Sequence, residues 1–217
     1  MTDEIFSRAR RRLNRARALR AKSDSRWLSA RMIEDLTDRL SFLSVEIKRA
    51  LVIGDGRAEL TALLAAGTEI ITADIDPTGK PHLVVDEDRL PCADAGFDLV
   101  FAVGTLDSVH DLPGALILIR RALRPGGLFL GAFAGGNSLK RLRTRVQELE
   151  AQQGVAGIAR FHPQVDVRAA GDLMFRAGFS TPVADLDLID VSYSDVRQLL
   201  SDIRAHSGNA LPQVRPM

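Results

Sequence analysis

The sequence predicts an α/β fold with a mostly parallel sheet, and three observations lead there. From Ala50 onward, short apolar runs alternate with segments of helical period. The first run stops at two glycines one residue apart, Gly54-Asp55-Gly56, just before a helix-like stretch. The next two runs end in acids, Asp74 and then Asp86-Glu87.

In chain order, residues 3–21 read as a basic amphipathic helix, with Ile5, Ala9, Leu13 and Ala16 at helical spacing and arginines between them. Residues 26–43 read as a second helix along Leu28, Met32, Leu36 and Leu40, with Ser23, Asp24 or Ser25 as candidate caps. The continuous apolar run 50–53 suits a strand buried on both faces. A helix is predicted over 58–67, stopped by Gly67, followed by strands over 69–74, 82–86 and 97–103. A helix follows over 113–123, then a turn at 124–127 and a fifth strand over 128–133. Residues 137–152 form a polar helix that Asn137 can cap, and 167–178 another that a glycine ends. A sixth strand is expected within 181–193 and a last helix over 194–205. Strands alternating with helices imply right-handed crossovers. The division expected is an N-terminal helical extension over 1–45 and one sheet domain over 46–217, with 134–166 as an insertion or lid.

Composition narrows the class. The 217 residues are 46% hydrophobic, enough for a sizeable core. No apolar run approaches the ~20 residues needed to span a bilayer, and arginines interrupt any signal-peptide segment. A single cysteine, Cys92, excludes an internal disulfide framework and a cysteine-based zinc site, and a reducing cytoplasm is the natural compartment. The net charge of +1 is unevenly spread: residues 1–22 carry +6 and the remainder −5. Any nucleic-acid footprint is thereby confined to the arm, and nucleic acid is a disfavoured partner. The arm itself admits three readings: a solvated helix packed along Ile5, Phe6 and Leu13; a contact for RNA, an acidic protein or anionic lipid; or a mitochondrial presequence. Asp3 and Glu4 argue against the last.

In an open parallel sheet, ligands bind at the carboxyl ends of the strands, near the switch in strand order. Glycines at the first strand-to-helix turn let a ligand approach the main chain. Asp74 lies about twenty residues further on, where an acid accepts hydrogen bonds from both ribose hydroxyls of a nucleoside. Asp86 and Glu87 end the third strand, where a carboxylate meets an adenine amino group. A dinucleotide loop needs a third glycine and a phosphate-friendly helix start. Here Ala58 takes that glycine's place, and Asp55 and Glu59 repel phosphate. An acidic loop suits a nucleoside that is cationic and lacks phosphate, and S-adenosylmethionine meets that description.

The segments "ALVIGDGRAEL", "ITADIDP", "VVDEDRLPCADAGFDLVFAVGTLDSVHDLPGALILIRRALRPGGLFLGAF" and "LMFRAGFSTPV" resemble successive motifs of class I methyltransferases of the type 11 group. Within that group the chain is most similar to the branch holding the biotin-pathway malonyl carrier-protein methyltransferase and the mitochondrial complex I assembly factor 5. The late "DVRAAGDLMFRAGFSTPVADLDLIDVSYSD" and "DIRAHSGNAL" favour the assembly-factor side. The resemblance implies a Rossmann-like fold and S-adenosylmethionine as cofactor. It implies that Gly54, Asp55 and Gly56 wrap the methionine end, Asp74 with Ile75 the ribose, Asp86 and Glu87 the adenine, and that Val103 and Gly104 border the ligand. It also implies either methyl transfer to an unknown acceptor, or an arginine hydroxylase or non-catalytic scaffold on the same fold. The chain departs from the pattern at Val52, where the family usually carries an acid, at Ala58, and in "IDPTGKP", which replaces a helix. The family commonly adds a further strand beyond the position where this sequence stops, so an exposed sheet edge is expected.

Methyl transfer is an in-line displacement governed by alignment, so no compulsory catalytic motif is expected, and none is present. No metal-ligand spacing appears. His82, His110, His162 and His206 are scattered and read as packing or surface residues. The acceptor, a small molecule or a protein, should lie over the ligand, near Lys140, Arg141, Arg143 and Arg145, with Tyr193 a further candidate. A protein partner is expected at the Arg-rich arm or the C-terminal edge.

Overall fold

The computed structural model describes residues 6–21, 23–154 and 161–206. Five parallel strands form one sheet in the order β3-β2-β1-β4-β5. They are β1 (Arg49–Gly54), β2 (Glu69–Asp74), β3 (Leu83–Val84), β4 (Phe97–Val103) and β5 (Leu123–Ala132). The helices are α1 (Arg8–Leu19), α2 (Trp27–Ser41), α3 (Arg57–Leu63), α4 (Leu112–Ala122), α5 (Lys140–Gln152), α6 (Val167–Arg176) and α7 (Val196–Ala205). The strand order reverses between β1 and β4, so their tips flank the crevice where such sheets take ligands.

The continuous apolar runs of β1 and β4 follow from burial on both faces. Leu51, Ile53, Val100 and Ala102 point to one side and pack with Ala115 and Ile119 of α4. Ala50, Val52, Leu99, Phe101 and Val103 point to the other and pack with Ile33, Leu36 and Leu40 of α2 and Leu60 of α3. The period of two along each strand supplies both layers. Helix α2 is therefore part of the sheet's own core, on the Val52–Phe101 face.

Several boundaries differ from the sequence expectation. Helix α2 starts at Trp27 with Arg26 at its N-cap and no side-chain capping bond, after a 3-10 turn over Ser23–Arg26. Helix α3 ends at Leu63, four residues short of Gly67, because Leu64 is already extended. Strand β3 shrinks to two paired residues. His82 explains the loss: its Nδ1 accepts the Thr72 backbone N–H at 3.0 Å, a bond that a longer β3 would have made. Residues 124–127 form a bulge inside β5, set between the Phe97–Leu123 and Leu99–Leu128 pairs. Helix α5 starts at Lys140 with left-handed Leu139 at its N-cap and no side-chain cap, so Asn137 does not cap it. Helices α6 and α7 are capped by Asp166 and Asp195.

The largest correction is the sixth strand. Residues 182–193 pair with no strand, and Val183, Leu186, Leu188, Ile189 and Val191 are exposed. Asp185 and Asp187 of this segment pair with Arg39 and Arg31 on the outer side of α2. The alternation that suggested a strand has acids on one side, and ion pairs to a helix rather than a ladder hold that side. Among the described residues strand β5 pairs with β4 only and ends the sheet. Ile5, residues 155–160 and the tail from 207 lie outside the described residues. Among the described residues no helix is long and apolar enough to cross a membrane.

Candidate functional site

The first strand-to-helix turn needs its glycines. Gly54 and Gly56 have φ of +81° and +106°, and a Cβ on either would collide, with the Val103 carbonyl at Gly54 and with the Phe101 ring at Gly56. The turn leaves the Asp55 carboxylate at the tip of β1, while the Asp55 N–H points back to the Val103 carbonyl at 3.4 Å. Asp74 ends β2, and Asp86 and Glu87 follow β3. The parallel order β3-β2-β1 thus sets the predicted carboxylates side by side along one edge of the sheet. Ile75 and Gly104 line a pocket of about 10 Å³ beside them, with Asn14 and Thr105. Val103 borders the row through its backbone, its side chain being in the core.

The row is not open along its whole length. Helix α1 lies across it and inserts arginines. Arg15 donates to Asp74 Oδ2 from Nε at 2.9 Å and from Nη2 at 2.7 Å, and to Asp55 Oδ1 at 2.8 Å. Arg26 also pairs with Asp55. Arg11 makes a fork to Glu87, at 2.7 and 3.0 Å, and reaches Asp86 at 2.8 Å and the Thr105 carbonyl at 3.0 Å. Arg8 donates twice to Asp88, at 2.7 and 2.8 Å. Such bidentate pairs are the strong form of charged hydrogen bond.

The electrostatics follow from these contacts. Burial alone raises a carboxyl, but Arg15 and then Arg26 more than offset it and hold Asp55 down to about 2. Burial lowers the Arg15 guanidinium less than Asp55 and Asp74 raise it, so its net shift is upward. Arg11 is raised in the same way, against burial, chiefly by Glu87.

This placement overturns the expectation for the arm. The helix was expected to pack its apolar side and solvate its arginines. Instead Leu13 is 59% exposed while Arg11 and Arg15 are 5% exposed. None of the three readings of the arm describes these contacts, which are made within the chain.

Beyond α1, a cavity of about 370 Å³ opens beside the glycine turn, lined by Gly54, Asp55, Gly56, Asp74, Arg15 and Ile33. That volume is in the range of small-molecule sites, ~300–1,000 Å³. Asp55 Oδ2 is buried without a hydrogen-bond partner. A left-handed glycine cradle, an unsatisfied carboxylate oxygen and an acid at the tip of β2 fit the methionine and ribose ends of an S-adenosyl donor. Among the described residues no group of three or more His, Cys, Asp or Glu could hold a metal ion.

The chemistry beyond β4 was not visible in the sequence. Burial pushes the Asp107 carboxyl, in the 3-10 turn Leu106–Ser108, up to about 7, with Arg11 opposing. His162 and His110 flank Phe6, at ring separations of 4.2 and 6.0 Å, and burial, then Arg11, lowers His162 to about 4. His82 serves the sheet edge and His206 stacks edge-on against Trp27. Tyr193 lies against Asp202 of α7 and is pushed up to about 12 by burial and that carboxylate. On α5, Arg143 donates to Gln164 at 2.7 Å and Arg145 to Glu148 at 2.7 Å.

A family model described as a methyltransferase domain matches residues 51–131, which span the glycine turn, all four acids and β4. Residues 51–131 are similar to a methyltransferase domain. Around it, the chain is 30% identical over 217 residues to the arginine-hydroxylase NDUFAF5, mitochondrial, of Homo sapiens, covering 94% of this chain and 63% of that one. To its namesake in Danio rerio it is 29% identical, covering 92% and 67%. To the malonyl-[acyl-carrier protein] O-methyltransferase of Methylovorus sp. (strain MP688) it is 27% identical, covering 93% and 73%. The chain therefore spans less than two thirds of the human relative's length. Among solved structures, the complex between the Haloferax volcanii Trm112 methyltransferase activator and the putative methyltransferase contains a chain with the same fold. The TM-score is 0.52 at 18% identity, over 89% of this chain and 92% of that one. The motif resemblance and the Rossmann-like fold are both borne out, with this matched region as the sheet's centre.

Proposed function

We propose that the protein is an S-adenosylmethionine-dependent methyltransferase whose donor site is the strand-tip row. The observation that carries the reading is the side-by-side placement of Asp55, Asp74, Asp86 and Glu87 next to a left-handed glycine turn, inside the region similar to a methyltransferase domain. S-adenosylmethionine, when bound, supplies a methyl group made electrophilic by its sulfonium. Asp55, with one oxygen still unsatisfied, balances the donor's positive end. Asp74 orients the ribose, Asp86 and Glu87 take the adenine amino group, and Ile75 packs beside them. Alignment of acceptor and methyl group does the remaining work. We assign the acceptor side to residues 134–166 and the surface of α5, and the extension over residues 1–45 to covering the strand tips of the unliganded chain. A reducing cytoplasm, a small-molecule or protein acceptor, and a protein partner at the open β5 edge complete the reading.

One observation favours a second reading. The acid row already holds the side chains of Arg11, Arg15 and Arg26, and the relatives named above as arginine-hydroxylases match most of this chain's length. On that reading the cleft acts on an arginine of a partner protein, or serves as a scaffold without turnover.

Incubation with S-adenosylmethionine and candidate acceptors, read by intact mass, tests both. A gain of one CH2 group supports methyl transfer. A gain of one oxygen atom supports the second reading. A stable complex of unchanged mass supports the scaffold and counts against the first.

A further inference from the structure

The arginines of α1 occupy the same atoms that a bound nucleoside needs. Asp74 Oδ2 takes two bonds from Arg15, and Oδ1 accepts the Asp76 N–H at 3.0 Å. Both oxygens of the ribose acid are thus engaged. Both oxygens of Glu87 are held by Arg11. The spacing is built for this. Arg8 and Arg15 are seven residues apart, roughly 10 Å along a helix. Two inter-strand spacings, from β3 to β1, also make roughly 10 Å. Along α1, Arg8 and Arg11 thus meet the acids that follow β3, and Arg15 meets those at the tips of β2 and β1.

We propose that α1 is an internal competitor for the donor: the adenosyl ligand and the docked helix are mutually exclusive, and binding requires α1 to leave the strand tips. The inference rests on the donor-site reading above. Three further observations carry it. The buried face of α1 is charged and polar, with only Ala16 and Ala18 as buried apolar residues, so little apolar burial is lost on release. Replacing the arginines by an adenine and a ribose keeps the acids hydrogen-bonded, which a bare opening does not. A strap also runs behind α1. The Trp27 indole N–H donates to Asp202 of α7 at 3.1 Å, and His206 stacks on the same ring. The α2 start and α7 are thereby fastened to each other and not through α1, so this contact survives when α1 moves.

The test is hydrogen–deuterium exchange and ligand titration on the full chain with S-adenosylhomocysteine. Exchange in α1 is expected to accelerate at saturating ligand while β1 and β4 stay protected. Arg15→Gln, and Arg11→Gln with it, are expected to bind the ligand about tenfold more tightly than wild type, a difference of about 1.4 kcal/mol. Arg15→Lys keeps the charge without the fork and should fall between; it serves if the glutamine variants do not fold. Equal or weaker binding by the variants, with Asp74→Ala still abolishing binding, overturns the competitor and leaves the donor site standing. Greater protection of α1 on binding does the same. No binding by wild type or any variant removes the donor site and the competitor together.

Discussion

Helices α1 and α2 are neighbours in sequence and both docked on the same sheet, yet they are held by opposite forces. Helix α2 lies on a sheet face and buries Ile33, Leu36 and Leu40 against Val52 and Phe101. Helix α1 lies on the strand tips and buries Arg11, Asn14 and Arg15 against four acids, with Leu13 turned to solvent. A sheet face presents side chains, so it rewards apolar area. Strand tips present loops with carboxylates, so they reward charge and geometry. The first contact is part of the core; the second occupies the carboxylates for which the proposed ligand competes.

The largest expected effect falls on α2. Leu36→Ala should cost about 2–5 kcal/mol of global stability, the usual range for a buried leucine, in urea unfolding. A loss as small as that of a surface change would place α2 outside the core.

Protonation should act on α1 instead. Asp55 is held at about 2 against an ordinary value of 3.8. Its folded pKa is depressed, so the stabilisation is complete above pH ~4 and is lost as pH falls through about 2. Trp27, the only tryptophan, sits at the α1–α2–α7 junction and reports the release by a shift in emission. An emission change centred near neutral pH would contradict the Asp55 assignment.

Asp107 gives the opposite slope. Its folded pKa, about 7, is above the ordinary 3.8, so the folded state holds more protons between those values and stability falls as pH rises across them. Asp107→Asn should flatten that slope in urea unfolding at pH 5 and 8, and an unchanged slope would refute the raised carboxyl. The smallest effect is expected at Leu13→Ala, within about 0.5 kcal/mol because the side chain is exposed. A loss of several kcal/mol there would restore the ordinary amphipathic packing of α1.

Much of this was legible in the sequence. The five paired strands, the glycine turn and the acids at the tips of β2 and β3 were all marked by apolar runs and by where those runs end. The orientation of α1 was not. The stripe Ala9–Leu13–Ala16 reads as an inner face by periodicity, yet Ala9 and Leu13 are exposed and only Ala16 is buried, because the acids of distant strands draw Arg11 and Arg15 inward, a tertiary fact that no local window contains. The spacing of Arg8, Arg11 and Arg15 at i, i+3 and i+7 was the available signal. Residues 182–193 misled for a related reason: alternation predicts a strand, but a strand also needs a neighbour, and here Arg31 and Arg39 of α2 claim the acidic side. The shift at Asp107 arises from burial beside Arg11 and Glu87, which meet only in the fold.

Calorimetric titration of the full chain with S-adenosylhomocysteine, set against Asp74→Ala, is the most direct measurement. Saturable binding to one site, lost when the ribose acid is removed, is the predicted result. Binding that survives Asp74→Ala unchanged would contradict the strand-tip site.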